Sequence, residues 1–308
     1  MKKIIFIVIM IPMFFYGQIK VKSIEKLNLP YEEEWSYPVF SPDGKKIYLT
    51  NYSYNGIWEY DLQNHSLRQI TSEPGSGYDF DFSPDGKKIL YRTTTHNSKT
   101  HERIQEIFSI DLKTLIKTKH ASGDDIYNPT FVRSSVIYSE GFETKNRQKI
   151  TTSNDTRLIG IENTKIVLLV NGKRRVLDPF VNGSYFWPQL SPDKTRIVAK
   201  AVDKGAFVCD LEGNVISRLG KVNAPVWTRD GKWIIYMDDR DDGHFILSSD
   251  IMAITPDGKT KIQLTSTPNI IEMYPATSPT ENKIACSSLT GEIYIITYEI
   301  ENRDEKME

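Results

Sequence analysis

A chain of 308 residues, 39% apolar and 26% charged, is long enough for one large all-β domain or two ordinary domains and has the make-up of a protein that buries a core. Its 39 basic and 40 acidic side chains nearly cancel, so no overall field draws it to nucleic acid or anionic lipid. Lys2 and Lys3 precede an apolar run at 4–16, broken only by Pro12. That run is shorter than the roughly 17–25 residues of a membrane-crossing helix. Small Gly17 before polar Gln18 suits signal-peptidase cleavage, so 1–17 reads as a signal peptide. An uncleaved anchor is the alternative. No cysteine follows the run, which argues against a lipid anchor. The expected location is periplasmic or secreted.

Next, Ile19–Leu27 alternates like a strand but has no repeat unit of its own. Six similar segments follow: Tyr37–Gly44, Asp79–Gly86, Asn128–Val132, Trp187–Asp193, Ala224–Gly231 and Tyr274–Pro279. Five carry proline at the second position (Pro38, Pro129, Pro188, Pro225, Pro275), and five place Phe40, Phe82, Phe131, Leu190 or Trp227 two residues later. Ser or Thr comes next, then Pro-Asp-Gly or a decayed form of it. Proline presets φ at the turn corner, Asp accepts a local backbone bond, and Gly takes positive φ without a clash. The element therefore closes a hairpin, and its aspartates are turn residues.

Each unit continues with a β-rich run (Ile47–Thr50, Ile89–Tyr91, Val136–Tyr138, Ile197–Ala199, Ile234–Tyr236, Ile284–Cys286). In most units a second run follows, such as Ile57–Leu62 or Ile107–Leu112, and then a short one ending in Thr, such as Leu67–Thr71. Four short strands per unit, repeated, predict propeller blades. The expected fold is all-β: a six-bladed β-propeller of four-stranded antiparallel blades over residues 18–300, with a polar tail at 301–308. The last unit has three evident strands, so the N-terminal strand is expected to complete it and hide its edge. The third unit holds more chain than one hairpin needs, and Glu143–Thr164 reads as an insertion with its own hairpin. Cys209 and Cys286 sit in strand-like runs of non-neighbouring units, which predicts buried free thiols over a disulfide.

The repeat, Pro-x-Phe/Trp-Ser-Pro-Asp-Gly-Lys followed by an Asp-Ile-Tyr-like strand and a run ending Leu-Thr, resembles the TolB-type, WD-like propeller repeat family. Ser249–Gly258 matches the second half of that pattern. The resemblance covers about residues 18–300 and implies architecture far more than activity. TolB proteins place an α/β domain before the propeller; no room for one is seen here, so that domain's partner contacts do not carry over. What the resemblance implies is a non-enzymatic module that docks a protein or peptide at the cell envelope.

In a propeller the Pro-Asp-Gly turns lie on one face, and the second-to-third-strand loops and sheet-to-sheet linkers on the other. The second face collects Tyr31, Trp35, Tyr52, Tyr54, Tyr78, Tyr127, Tyr185 and Trp187, which offer large, rigid contact area as binding residues. Packing between sheets is the competing role for several of them. Asp238-Asp-Arg-Asp-Asp-Gly-His244 is oxygen-rich, but its spacing does not match an alternating calcium loop, and a solvated turn is expected. His96 and His101, with Glu102, or Asp241 and His244, are the remaining metal candidates, short of the three convergent ligands a site needs. Lys173-Arg174-Arg175, after the turn dipeptide Asn171-Gly172, reads as a solvated turn. No nucleophile elbow, His-Glu-x-x-His pair, phosphate loop or Cys-x-x-Cys occurs, so no catalytic residue or cofactor is assigned. The expected partner is a protein or peptide and not nucleic acid, with membrane contact only through a partner or an uncleaved N-terminus. The alternative function is a carbohydrate lyase or glycoside hydrolase at the channel mouth using His96, His101, His244 or Asp241, because an acid/base pair drawn from different blades leaves no trace in chain spacing.

Overall fold

The computed structural model describes residues 17–30, 33–100, 102–141, 143–146 and 156–301, so the expected signal segment 1–16 and the tail beyond 301 lie outside the described residues. All regular structure among those residues is β-strand, in antiparallel sheets that follow one another along the chain. Sheets one and two occupy 35–71 and 81–123, sheets three and four 126–146 and 156–177, sheets five and six 185–220 and 223–263. Sheet seven combines 272–301 with the N-terminal strand Gln18–Lys26, which pairs with the last strand Ile293–Glu301 from Gln18↔Glu301 to Lys26↔Tyr294.

Closure of the ring is visible in the packing. Each apolar cluster bridges neighbouring sheets: Tyr48, Ile57 and Ile70 of sheet one meet Ile89, Tyr91 and Ile110 of sheet two. The series runs round to sheet seven, whose Ala285, Ile293 and Ile295 meet Trp35, Phe40 and Ile47 of sheet one. These side chains occupy alternate strand positions, one set for each sheet face, which is what a two-sided buried sheet requires.

All six repeat units take their places in this β-propeller, five as four-stranded sheets. The third departs from four strands. With the 143–164 segment it supplies six strands among the described residues, which divide into two three-stranded sheets, three and four, so that the described ring has seven sheets where the repeat units number six. Topology explains why the short sheets come as a pair. An even number of antiparallel strands returns the chain to the face it left, whereas three deliver it to the opposite face, and a second three restore it. Sheet four escapes repeat counting because its first hairpin turns on Asn163-Thr164, with φ of 47° and 68°, in place of Pro-Asp-Gly.

The Pro-Asp-Gly turns behave as their chemistry predicts. Ser41 Oγ donates to Asp43 Oδ1 at 2.6 Å, the Lys45 N–H donates to the same oxygen at 3.1 Å, and Gly44 takes φ of 71°. Ser83/Asp85/Lys87 and Thr228/Asp230/Lys232 repeat the pattern. The recurrent prolines have a separate job. Pro38, Pro129, Pro188, Pro225 and Pro275 lie in the inner strands at breaks in register. An inner strand is a sheet edge, and an edge bulge is where a residue without an N–H is tolerated in a sheet. The residue before each proline has positive φ (Tyr37, Asn128, Trp187, Ala224, Tyr274), so the inner strands hold five residues other than glycine in a strained conformation.

Candidate functional site

Two faces follow from this topology: a turn face with the Pro-Asp-Gly hairpins, and a loop face where the inner strands of all described sheets but the fourth begin. Fourteen large apolar side chains are exposed among the described residues. Nine of them are on the loop face: Tyr52, Tyr78, Val181, Phe186, Trp187, Val202, Phe245, Leu247 and Leu289. The other five lie on outer strands or in the turn after Asp111, so the apolar exposure is concentrated and not scattered.

The aromatic residues expected on this face divide. Tyr52 and Tyr78 are exposed, as is Trp187, which carries the Lys200 ammonium 5.6 Å from its ring centre and Phe186 beside it. Tyr54 and Tyr127 are half-buried, and the Tyr127 hydroxyl donates to the Gly141 carbonyl. Two are corrected. Trp35 is only 2% exposed, packs between sheets seven and one, and donates its indole N–H to the Pro30 carbonyl at 2.8 Å. Tyr185 is buried between sheets four and five, its hydroxyl bonded to Asp178 at 2.7 Å. Both begin an inner strand, where the side chain alternates into the sheet interface instead of toward solvent. Tyr31 lies outside the described residues.

Residues not singled out from the sequence complete the mouth of the channel. Tyr37 stacks on Tyr54 at 4.4 Å and meets Tyr274 at 4.4 Å, and Tyr54 meets Tyr78 edge-on at 5.1 Å. Burial, reinforced by hydrogen bonding with Tyr54, pushes the Tyr37 phenol up. At the end of this row Arg92 lies 5.7 Å over the Tyr78 ring. Asp79 is nearby, reached by water yet set deep among protein atoms; burial raises its carboxyl and the Arg92 charge opposes that rise. Burial likewise pushes Asp81 up to about 6, although it accepts the Phe131 N–H at 2.7 Å. Across the mouth, Lys200 Nζ donates to Asn223 Oδ1, and Asn223 donates in turn to buried Asp239. Tyr37 and Tyr274 had a legible signal, since both precede the recurrent proline; nothing in chain spacing links Asp79 to Arg92.

The metal candidates are spread apart. His96 and His244 are exposed in the hairpins of sheets two and six, with sheets one and seven between them on the shorter way round. Asp241 and Asp242 accept N–H groups of their own turn, at 2.9 Å from Gly243 and 2.8 Å from Phe245. His101 lies outside the described residues, and no three His, Cys, Asp or Glu side chains among the described residues come together as a metal site. Arg174 is used in the fold, paired with buried Glu162 at 2.5 Å, and Arg175 pairs with Glu212 at 2.8 Å. Ser109 and His120 are 2.8 Å apart, but they sit on the two outer strands of sheet two, away from the channel.

Glu272, at the loop-face end of the seventh inner strand, is 2% exposed with Oε2 unbonded, while Oε1 accepts from Thr267. Burial raises its carboxyl. Because the folded value exceeds the unfolded one, the associated stability is present in acid and is lost as pH rises from the ordinary value of 4.5 through the folded value. Glu272→Gln should therefore gain about 1 kcal/mol over the wild type at neutral pH and nothing well below 4.5. Thermal melts at the two pH values read the difference, and a gain of equal size at both would contradict it.

The fold and the site together define the class: a β-propeller with an apolar, tyrosine-rich loop face. No family model matches the chain, and no curated protein matches it. Among solved structures it is similar to TolB from Acinetobacter baumannii, at 21% identity over 79% of this chain and 57% of that one, with a TM-score of 0.55. An oligogalacturonate lyase from Vibrio parahaemolyticus matches at 12% identity over 92% of this chain and 98% of that one, TM-score 0.48. A further oligogalacturonate lyase, in complex with manganese, matches at 13% over 85% and 76%, TM-score 0.49. The chain spans 57% of the length of the TolB chain it matches, and the likeness is one of fold.

Proposed function

We propose that this chain is an exported, non-enzymatic propeller that docks a protein or peptide partner at the cell envelope through its loop face. The observation behind the reading is the gathering there of nine of the fourteen exposed large apolar side chains, aromatic rings among them. Exposed apolar patches and rigid aromatic anchors are the usual makings of an interface. Export rests on the N-terminal apolar run. The test is recovery of partners from envelope extract by the mature chain, compared with Tyr52→Ala/Trp187→Ala and with Leu115→Ala/Ile116→Ala on the turn face. The first variant should lose about tenfold or more in recovery, as loss of two anchors implies, and the second none. Equal recovery by all three proteins would refute the reading.

One observation favours a second reading, a carbohydrate-active enzyme. Asp79 and Asp81 bring two carboxyl groups to the start of sheet two, and burial pushes Asp81 up to about 6, which suits a general acid. Turnover of a polysaccharide panel, abolished by Asp81→Asn, is the result it requires.

A further inference from the structure

The hairpin of sheet six extends past its own sheet. Its strands are Ile234–Asp241 and Ile246–Ile254, paired as far as Asp241↔Ile246. The inner neighbour, Asn223–Trp227, reaches only to Met237, and the outer neighbour, Lys261–Gln263, covers only Met252 to Ile254. Leu264 and Thr265 cap Ile251, so no described strand lies against the outer side of 246–250. A strand edge of this kind presents alternate N–H and C=O groups ready to pair, and natural edges are usually blunted by lysine, proline or a bulge. This one, Ile246, Leu247, Ser248, Ser249 and Asp250, has neither lysine nor proline, and the hairpin's one register break lies on the opposite strand, between Arg240 and Asp241; Phe245 is 74% exposed and Leu247 62% exposed beside it.

We infer that residues 246–250 form a strand-addition site that takes an extended segment of a partner, basic and apolar in alternation. The inference rests on the loop-face reading and gives its partner a chemistry. Strand addition supplies affinity through main-chain bonds and selectivity through alternate side chains. Charge chooses the occupant. Asp241 and Asp242 flank Phe245, their turn bonds to Gly243 and to His244 and Phe245 use Oδ1, and those bonds hold the Asp242 carboxyl below its ordinary range. Asp250 lies on the edge itself, where its Oδ2 accepts from Gln263 at 3.0 Å, a neutral partner that leaves its charge uncompensated. A second copy pairing edge to edge would bring these carboxylates together, whereas lysine or arginine on an added strand would meet them.

The probe is a fluorescein-labelled, acetylated hexapeptide of alternating Lys and Val, read by anisotropy against the mature chain. Binding should weaken at least tenfold for the Glu-Val counterpart and for a peptide N-methylated at its valines, which cannot pair along one edge. Phe245→Ser/Leu247→Ser, with an unchanged melting curve, should cost tenfold or more. Asp241→Asn/Asp242→Asn should lose affinity and flatten the salt dependence. Tyr52→Ala/Trp187→Ala should bind the peptide normally, so failure here is distinguishable from failure of the loop-face reading. Absence of binding, equal binding of the Glu-Val or N-methylated peptide, or undiminished binding by the Phe245/Leu247 variant would overturn the inference. So would a dimer in sedimentation that this variant abolishes.

Discussion

A chain that starts after Leu27 should lose the cooperative unfolding transition of the longer mature form, and Ile19→Asp should approach the same outcome with one side chain. Gln18–Lys26 is the outer strand of sheet seven, and no other described strand pairs with the outer edge of Ile293–Glu301. Ile19 is buried in the cluster between sheets six and seven, and Leu27 in the cluster between sheets seven and one, so the segment serves both interfaces at once. Truncating a buried Ile to Ala costs about 2–5 kcal/mol, and Asp at that depth adds an unpaired charge. Domains of this kind have about 5–15 kcal/mol in total. The ion pairs along the strand, Lys20–Glu301 and Lys22–Glu299, both at 3.1 Å, are mostly exposed. Lys20→Ala/Lys22→Ala should therefore cost about 1 kcal/mol or less. Urea titration followed by far-UV circular dichroism ranks the three variants. Near-native midpoints for Ile19→Asp would mean that the ring does not depend on this fastening.

The repeat made the architecture legible because Pro-Asp-Gly turns and edge-bulge prolines are local chemistry, written in neighbouring residues. Closure by the N-terminal strand was legible for a related reason: an unassigned alternating segment at one end matched a missing strand at the other. The extra sheet was not, because Asn163-Thr164 makes a hairpin without the signature being counted. At the site, which rings reach solvent depended on strand alternation that a loop-end position does not reveal. Trp35 and Tyr52 look alike in sequence, yet one fills a sheet interface and the other is exposed. The seating of Arg92 over Tyr78 and the overhang of the sheet-six hairpin are products of tertiary register. They become visible only when the lengths of adjacent strands are compared.

Gly291→Ala should destabilise the fold by about 3 kcal/mol, several times the usual effect of adding one methyl group at a loop. Gly291 has φ of 83°, and its carbonyl accepts the Trp35 N–H at 3.1 Å, which ties the loop of sheet seven to the start of sheet one. A Cβ there would stand 2.6 Å from the Glu34 Cα and 3.1 Å from its carbonyl carbon, both backbone atoms that no rotamer change can move. Left-handed strain accounts for about 1–2 kcal/mol, and forced separation of the two sheets for about 1–3 kcal/mol more. Gly220→Ala separates the two causes: its φ is 77°, but nothing lies within 4 Å of the added carbon, so strain alone remains, about 1 kcal/mol. Denaturant midpoints with a common slope measure both. Equal losses at the two positions would place the cost in the local dihedral. A larger loss at Gly291 would place it in the seam where the last sheet meets the first, beside Tyr52 and Leu289 on the loop face.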